Sequence, residues 1–167
     1  MKPALAVALC LALASPARAA RATRATAPGR TGFGVTLGDP FGLTLKHWGA
    51  GAAWDINLAL AYGPGVRLGG DYLWTLGRLT SRSNFDINLY AGAGPFVGSA
   101  RDPCGVGFFG SRCGTNDFYF GARVPVGVEM LFPAPFQFGF EVGPGLAFSS
   151  GNVYFVLDFL LALRFLF

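Results

Sequence analysis

The stretch Val153–Phe167, VYFVLDFLLALRFLF, is almost entirely apolar, yet it carries Asp158 and Arg164 and stops on phenylalanine. A membrane-spanning helix needs about 20 apolar residues, and this run has 15. On a helix Asp158 and Arg164 would fall on different faces, because each residue turns the chain by about 100°. On a strand they share one face with Tyr154, Val156, Leu160, Ala162 and Leu166. The opposite face is then Val153, Phe155, Leu157, Phe159, Leu161, Leu163, Phe165 and Phe167, an unbroken apolar row. An apolar outer face with charges on the inner one is the pattern of a transmembrane β-barrel strand.

The same period recurs along the chain. Its 25 glycines and 11 prolines disfavour long helices. Turn residues divide the sequence into strand-like runs: TGFGVTLG (31–38), FGLTLKHW (41–48), AWDINLALAY (53–62), VRLGGDYLWTL (66–76), FDINLYAGAGPFVG (85–98), DFYFGARVPVGVEMLF (117–132), FQFGFEVGPGLAF (136–148) and the tail. The polar GRLTSRSN after Leu76 reads as a loop. The expected fold class is therefore all-β: an eight-stranded antiparallel up-and-down transmembrane β-barrel over 31–167. About 9–11 residues per strand suffice to cross a membrane. An even number of strands returns both ends of the barrel to the periplasmic side. The longest connection, 99–116, is then extracellular.

Outward faces assign themselves by parity. They include Trp54, Ile56, Leu58, Leu60 and Tyr62, then Phe118 to Phe132 on even numbers, then Phe136, Phe138, Phe140 and Val142. Trp48, Trp54, Trp74, Phe85, Phe132, Phe136 and Phe167 fall near the periplasmic ends, as an aromatic girdle requires. Strict parity turns Trp48 inward, so its place in the girdle demands a bulge or an early strand end. The inward faces carry a lumen charge network: Lys46, Asp55, Arg67, Asp71, Asp86, Arg123, Glu129, Glu141, Asp158 and Arg164. Each is expected to pair, Arg164 with a carboxylate on a neighbouring strand, because a buried charge without a partner is very costly. Inward glycines make room for these long side chains. A soluble lipocalin-like barrel would reverse the pattern, with its apolar face inside.

The first 19 residues, MKPALAVALCLALASPARA, read as a secretory signal. Lys2 supplies the positive start, Ala4 to Ala14 the apolar core and Ala17-Arg18-Ala19 the cleavage site. Residues 20–30, with three arginines in RATRATAPGR, read as a flexible periplasmic segment. The expected location is the bacterial outer membrane. Of the three cysteines Cys10 leaves with the signal, and Cys104 and Cys113 are expected to form a disulfide closing the loop CGVGFFGSRC. After cleavage the charge is about +2, which supplies no basic patch and implies no nucleic-acid partner.

The terminal residues Phe159, Leu161, Leu163, Phe165 and Phe167 resemble the C-terminal signal that outer-membrane barrels present to their assembly machinery. The segments GFGVTLGDPFGLTLKHW, DINLALAY, DYLW, RVPVGVEMLFP and FEVGPGL resemble a family of small uncharacterised bacterial outer-membrane barrels of unknown function. That resemblance implies an eight-stranded barrel. It carries over no catalytic residue.

Sites for other chemistry are sparse. GVGFFG (105–110) has glycine-fingerprint spacing but lies between cysteines, with no strand–helix context. Its Phe108 and Phe109 could contact an extracellular ligand or pack within the loop. The single histidine, His47, lacks a neighbouring Ser–acid pair and reads as interface packing. No catalytic residue, cofactor or metal is expected. The functional expectation is a monomeric, non-enzymatic barrel with a closed ion-paired lumen and a structural or surface-interaction role. Its expected partners are outer-membrane lipid, the barrel assembly machinery and a ligand of the long loop. The alternatives are a narrow channel for small solutes or ions and, third, a lipid-modifying enzyme.

Overall fold

The computed structural model describes residues 29–61, 65–82, 84–100, 117–133, 135–149 and 152–167. The expected signal segment, Tyr62, the loop aromatics Phe108 and Phe109, and the Cys104–Cys113 disulfide lie outside the described residues.

The described chain is an antiparallel sheet of nine strands: β1 Thr31–Asp39, β2 Phe41–Trp48, β3 Ala52–Ala61, β4 Gly65–Ser81, β5 Asp86–Ala100, β6 Asp117–Arg123, β7 Val126–Leu131, β8 Phe136–Ser149 and β9 Asn152–Leu166. Consecutive strands pair except β6 with β7, and β1 also pairs with β9, so the sheet closes on itself. β6 and β7 pair with the same two neighbours, β5 and β8, and form a single stave. The ring thus has eight staves.

Closure is staggered. Stepping across paired residues from Gly34 leads through Thr44, Asn57, Gly69, Phe96, Gly121 and Ala147 to Tyr154. Gly34 itself pairs with Arg164, so the walk closes ten residues away, from 154 to 164. On eight strands of ordinary rise and spacing, that offset tilts the strands by about 40°. The ring is then just wide enough for side chains to fill it.

One rim, the proximal one, carries Thr31 and Phe167, joined by two backbone hydrogen bonds (Thr31 N to Phe167 O, 3.0 Å; Phe167 N to Thr31 O, 2.8 Å). The opposite, distal rim carries the Asp39–Pro40 turn. Parity holds over most of the wall, though Tyr154, on the inner-face parity, is exposed at 39%. Trp54, Ile56, Leu58, Leu60, Phe118, Phe120, Phe136, Phe138, Phe140, Phe159, Leu161, Leu163, Phe165 and Phe167 are all exposed on the outer face.

Four expectations need correction. The strand expected over 117–132 is broken at Val124–Pro125, because proline has no N–H for the ladder. The chain nevertheless stays in the wall, with Val124 N donating to Pro144 O and Gly92 N to Pro125 O, both at 2.8 Å. GRLTS is not loop: β4 continues to Ser81, with register shifts between Thr75 and Gly77 and between Arg78 and Thr80. Those shifts let Leu76 and Leu79, of opposite parity, both face outward. Trp48 is not in an outer girdle. The β2–β3 register runs unbroken to Trp48↔Ala53, and the indole turns inward, 2% exposed. Finally, Asp86 is not deep in the interior. It sits at the proximal start of β5, half-buried, 3.9 Å from Arg78.

Candidate functional site

Among the described residues, the buried polar chemistry is concentrated in the interior. Of the ten charges expected there, nine are buried: Lys46, Asp55, Arg67, Asp71, Arg123, Glu129, Glu141, Asp158 and Arg164. Only Asp86 stays at the rim. Each of the nine sits at an inward parity position, and the pairing connects them into three groups.

Toward the proximal rim, Lys46 Nζ lies 2.7 Å from Glu129 Oε2. The Trp48 indole N–H donates to the same carboxylate at 3.1 Å, and Asn88 Nδ2 donates to its other oxygen at 3.4 Å. The ammonium also lies 4.4 Å from the Tyr90 ring centroid and 5.0 Å from that of Trp48. Cation–π contact therefore supplements the ion pair. This explains the inward Trp48: a buried indole needs an acceptor, and Glu129 supplies one.

In the middle, Arg164 donates to Asp55 Oδ2 at 2.6 Å, to Thr44 Oγ1 at 2.8 and 2.9 Å, and to Gln137 Oε1 at 3.0 Å. Thr44 in turn donates to Asp55 Oδ1 at 2.7 Å. The partner is thus not on a strand next to β9, as expected, but on β3, across the interior. Gly34 sits opposite Arg164 on β1 and offers no side chain to block the guanidinium. A Cβ there would come within 1.9 Å of the Leu163 carbonyl.

The third group centres on Arg123. Its guanidinium donates to Asp71 through Nε (3.2 Å) and Nη2, to Asp158 Oδ2 through Nη1 (2.9 Å), and lies 3.1 Å from Glu141 Oε1. Asp158 is also held bidentately by Arg67, both bonds at 2.8 Å. The Arg67 guanidinium stacks 3.9 Å from the Phe96 ring centroid. Glu141 accepts from Tyr90 Oη at 3.0 Å. Forked guanidinium–carboxylate pairs are among the strongest and most directional polar contacts available.

Apolar side chains cap these charges at both ends. Trp48, Ala53, Leu73, Tyr90, Leu131 and Leu166 cluster toward the proximal rim. Phe96, Tyr119, Ala147 and Val156 cluster toward the distal rim. The ion pairs therefore lie between two apolar clusters.

Thr44, Asn88, Tyr90 and Gln137 complete the network without having been singled out in the sequence, and Trp48 joins it although it was expected in the girdle. Their signal was parity: Thr44 and Trp48 alternate with Lys46, Asn88 and Tyr90 follow Asp86, and Gln137 shares its face with Glu141. His47 stays outside the network. Nδ1 lies 3.0 Å from Thr31 Oγ1, and the ring stacks on Trp54 at 5.5 Å. Comparison of the chain with protein-family models, with curated proteins and with solved structures returned no match.

Proposed function

We propose that the protein is an exported outer-membrane β-barrel, closed along its axis, with a structural or surface-interaction role carried by its extracellular loops. The observation that carries this reading is the inverted polarity of the sheet. Its outer face is Phe, Leu, Trp and Val at exposures near one half, while nine charges are buried inside. In water such a surface would be a liability around its whole circumference. In lipid it is the ordinary solvent-facing surface, and closure leaves no strand edge unpaired at the seam. The barrel sits as a monomer in outer-membrane lipid, with the proximal rim in the periplasm. Its terminal row, Phe159 to Phe167, is the segment read by the assembly machinery.

The apolar caps at both mouths support a plugged barrel. One observation favours a second reading: five buried carboxylates face four buried cations. A narrow, weakly cation-preferring passage would use that excess. Conductance of refolded protein in a planar bilayer separates the two, with the heat-dependent gel shift as the check on folding. Folded protein is expected to be silent. Steady steps that change when Arg67, Arg123 or Glu141 is replaced would put the channel first.

A further inference from the structure

A cavity of about 10 Å³ lies beneath the β1–β2 turn, lined by Thr36, Pro40, Asn57, Arg67, Arg123 and Leu160 among others. Asn57 faces inward from β3 and is 8% exposed. Neither its Nδ2 nor its Oδ1 meets a hydrogen-bond partner among the described residues. A buried carboxamide offers two donors and two acceptor positions, and buried polar groups of native proteins are nearly always satisfied.

The occupant follows from size and charge. The volume matches one water molecule, for which about 10–15 Å³ is the threshold. A cation would sit against two guanidiniums. An anion would join an interior where carboxylates already outnumber cations by five to four. Moreover, both guanidiniums are already committed to Asp158, and Arg123 to Asp71 as well. Water both donates and accepts, and a single molecule fits the volume. It can take one of the Arg67 N–H groups not used by Asp158 and return a hydrogen to Asn57 Oδ1.

We propose that this cavity is a specific hydration site for a single water molecule, held by Asn57 and bridging it to the Arg67–Asp158–Arg123 junction. The water ties β3, whose other buried polar side chain is Asp55, into the polar group beneath the distal cap. The site does not depend on where the protein resides.

Two measurements test it. The first is a high-resolution crystal structure of the full refolded protein, grown in bromide. The expected result is a spherical density peak at about 2.7–3.2 Å from the Asn57 amide, without bromide anomalous signal. An anomalous peak there, or an empty cavity, overturns the proposal. The second is the urea midpoint of Asn57→Leu, which is nearly isosteric and removes the amide that holds the water. A midpoint equal to or below that of the parent is expected, because a satisfied amide is being removed. A raised midpoint means that the amide had no partner at all, and the proposal fails.

Discussion

Arg123 is shared by three carboxylates, Asp71, Glu141 and Asp158, and each reaches it from a different strand. Removing it leaves those groups buried, with only Asp158 still hydrogen-bonded to a cation, Arg67. Arg123→Ala and Arg164→Ala should each cost about 3–5 kcal/mol, because stranding a buried charge is far worse than never having buried the pair. The urea midpoints of the two variants, refolded in the same detergent, measure this. Unchanged midpoints in both would remove the basis for a paired interior. Which residues are inside was legible from numbering parity alone. Which pairs form was not. A guanidinium on a long stem reaches across so narrow a ring, and the stagger of the sheet decides what it meets. That is why Arg164 finds Asp55 on β3 rather than a carboxylate on an adjacent strand.

Among the strands, the weakest stretch of wall is the join between β6 and β7. Pro125 cannot donate to β5, and Pro144 beside it cannot donate from β8. Two backbone bonds hold the join where a full ladder would offer more. Hydrogen exchange should therefore release the amides of residues 122–127 before those of β9 from 156 to 165, which pair on both sides over residues 159–165. Equal protection of the two segments would show that the break has no energetic consequence. The break was hidden in the sequence because apolar alternation runs straight through it: Ala122, Val124 and Val126 keep facing outward. β4 misled in the opposite way. The composition of GRLTS says loop, but pairing with β5 extends the strand, and only the register shifts reveal how both leucines stay outside. Trp48 was the subtler case. Interfacial preference and strict parity disagreed, and parity won because Glu129 waits inside as an acceptor.

At the scale of the whole molecule, the two faces of the sheet make a clean distinction among the tryptophans. Trp54 and Trp74 are exposed on the outer surface at 41% and 48%, while Trp48 is enclosed. In single-tryptophan variants reconstituted with brominated lipid, the fluorescence of Trp54 and Trp74 should be quenched and that of Trp48 spared. Equal sparing of all three would argue that no acyl chain touches the outer wall. Sheet class and stave number were legible here, since eight apolar rows repeat with one period. The ten-residue offset was not, because it resides in the register between strands and no single strand encodes it. The two backbone bonds between Thr31 and Phe167 carry a further consequence. A ring of staves has no privileged first member. A short peptide link across those two residues would make the backbone continuous, and a cut at any distal turn would then create new ends without disturbing a single pairing. Circular permutants are accordingly equivalent in geometry.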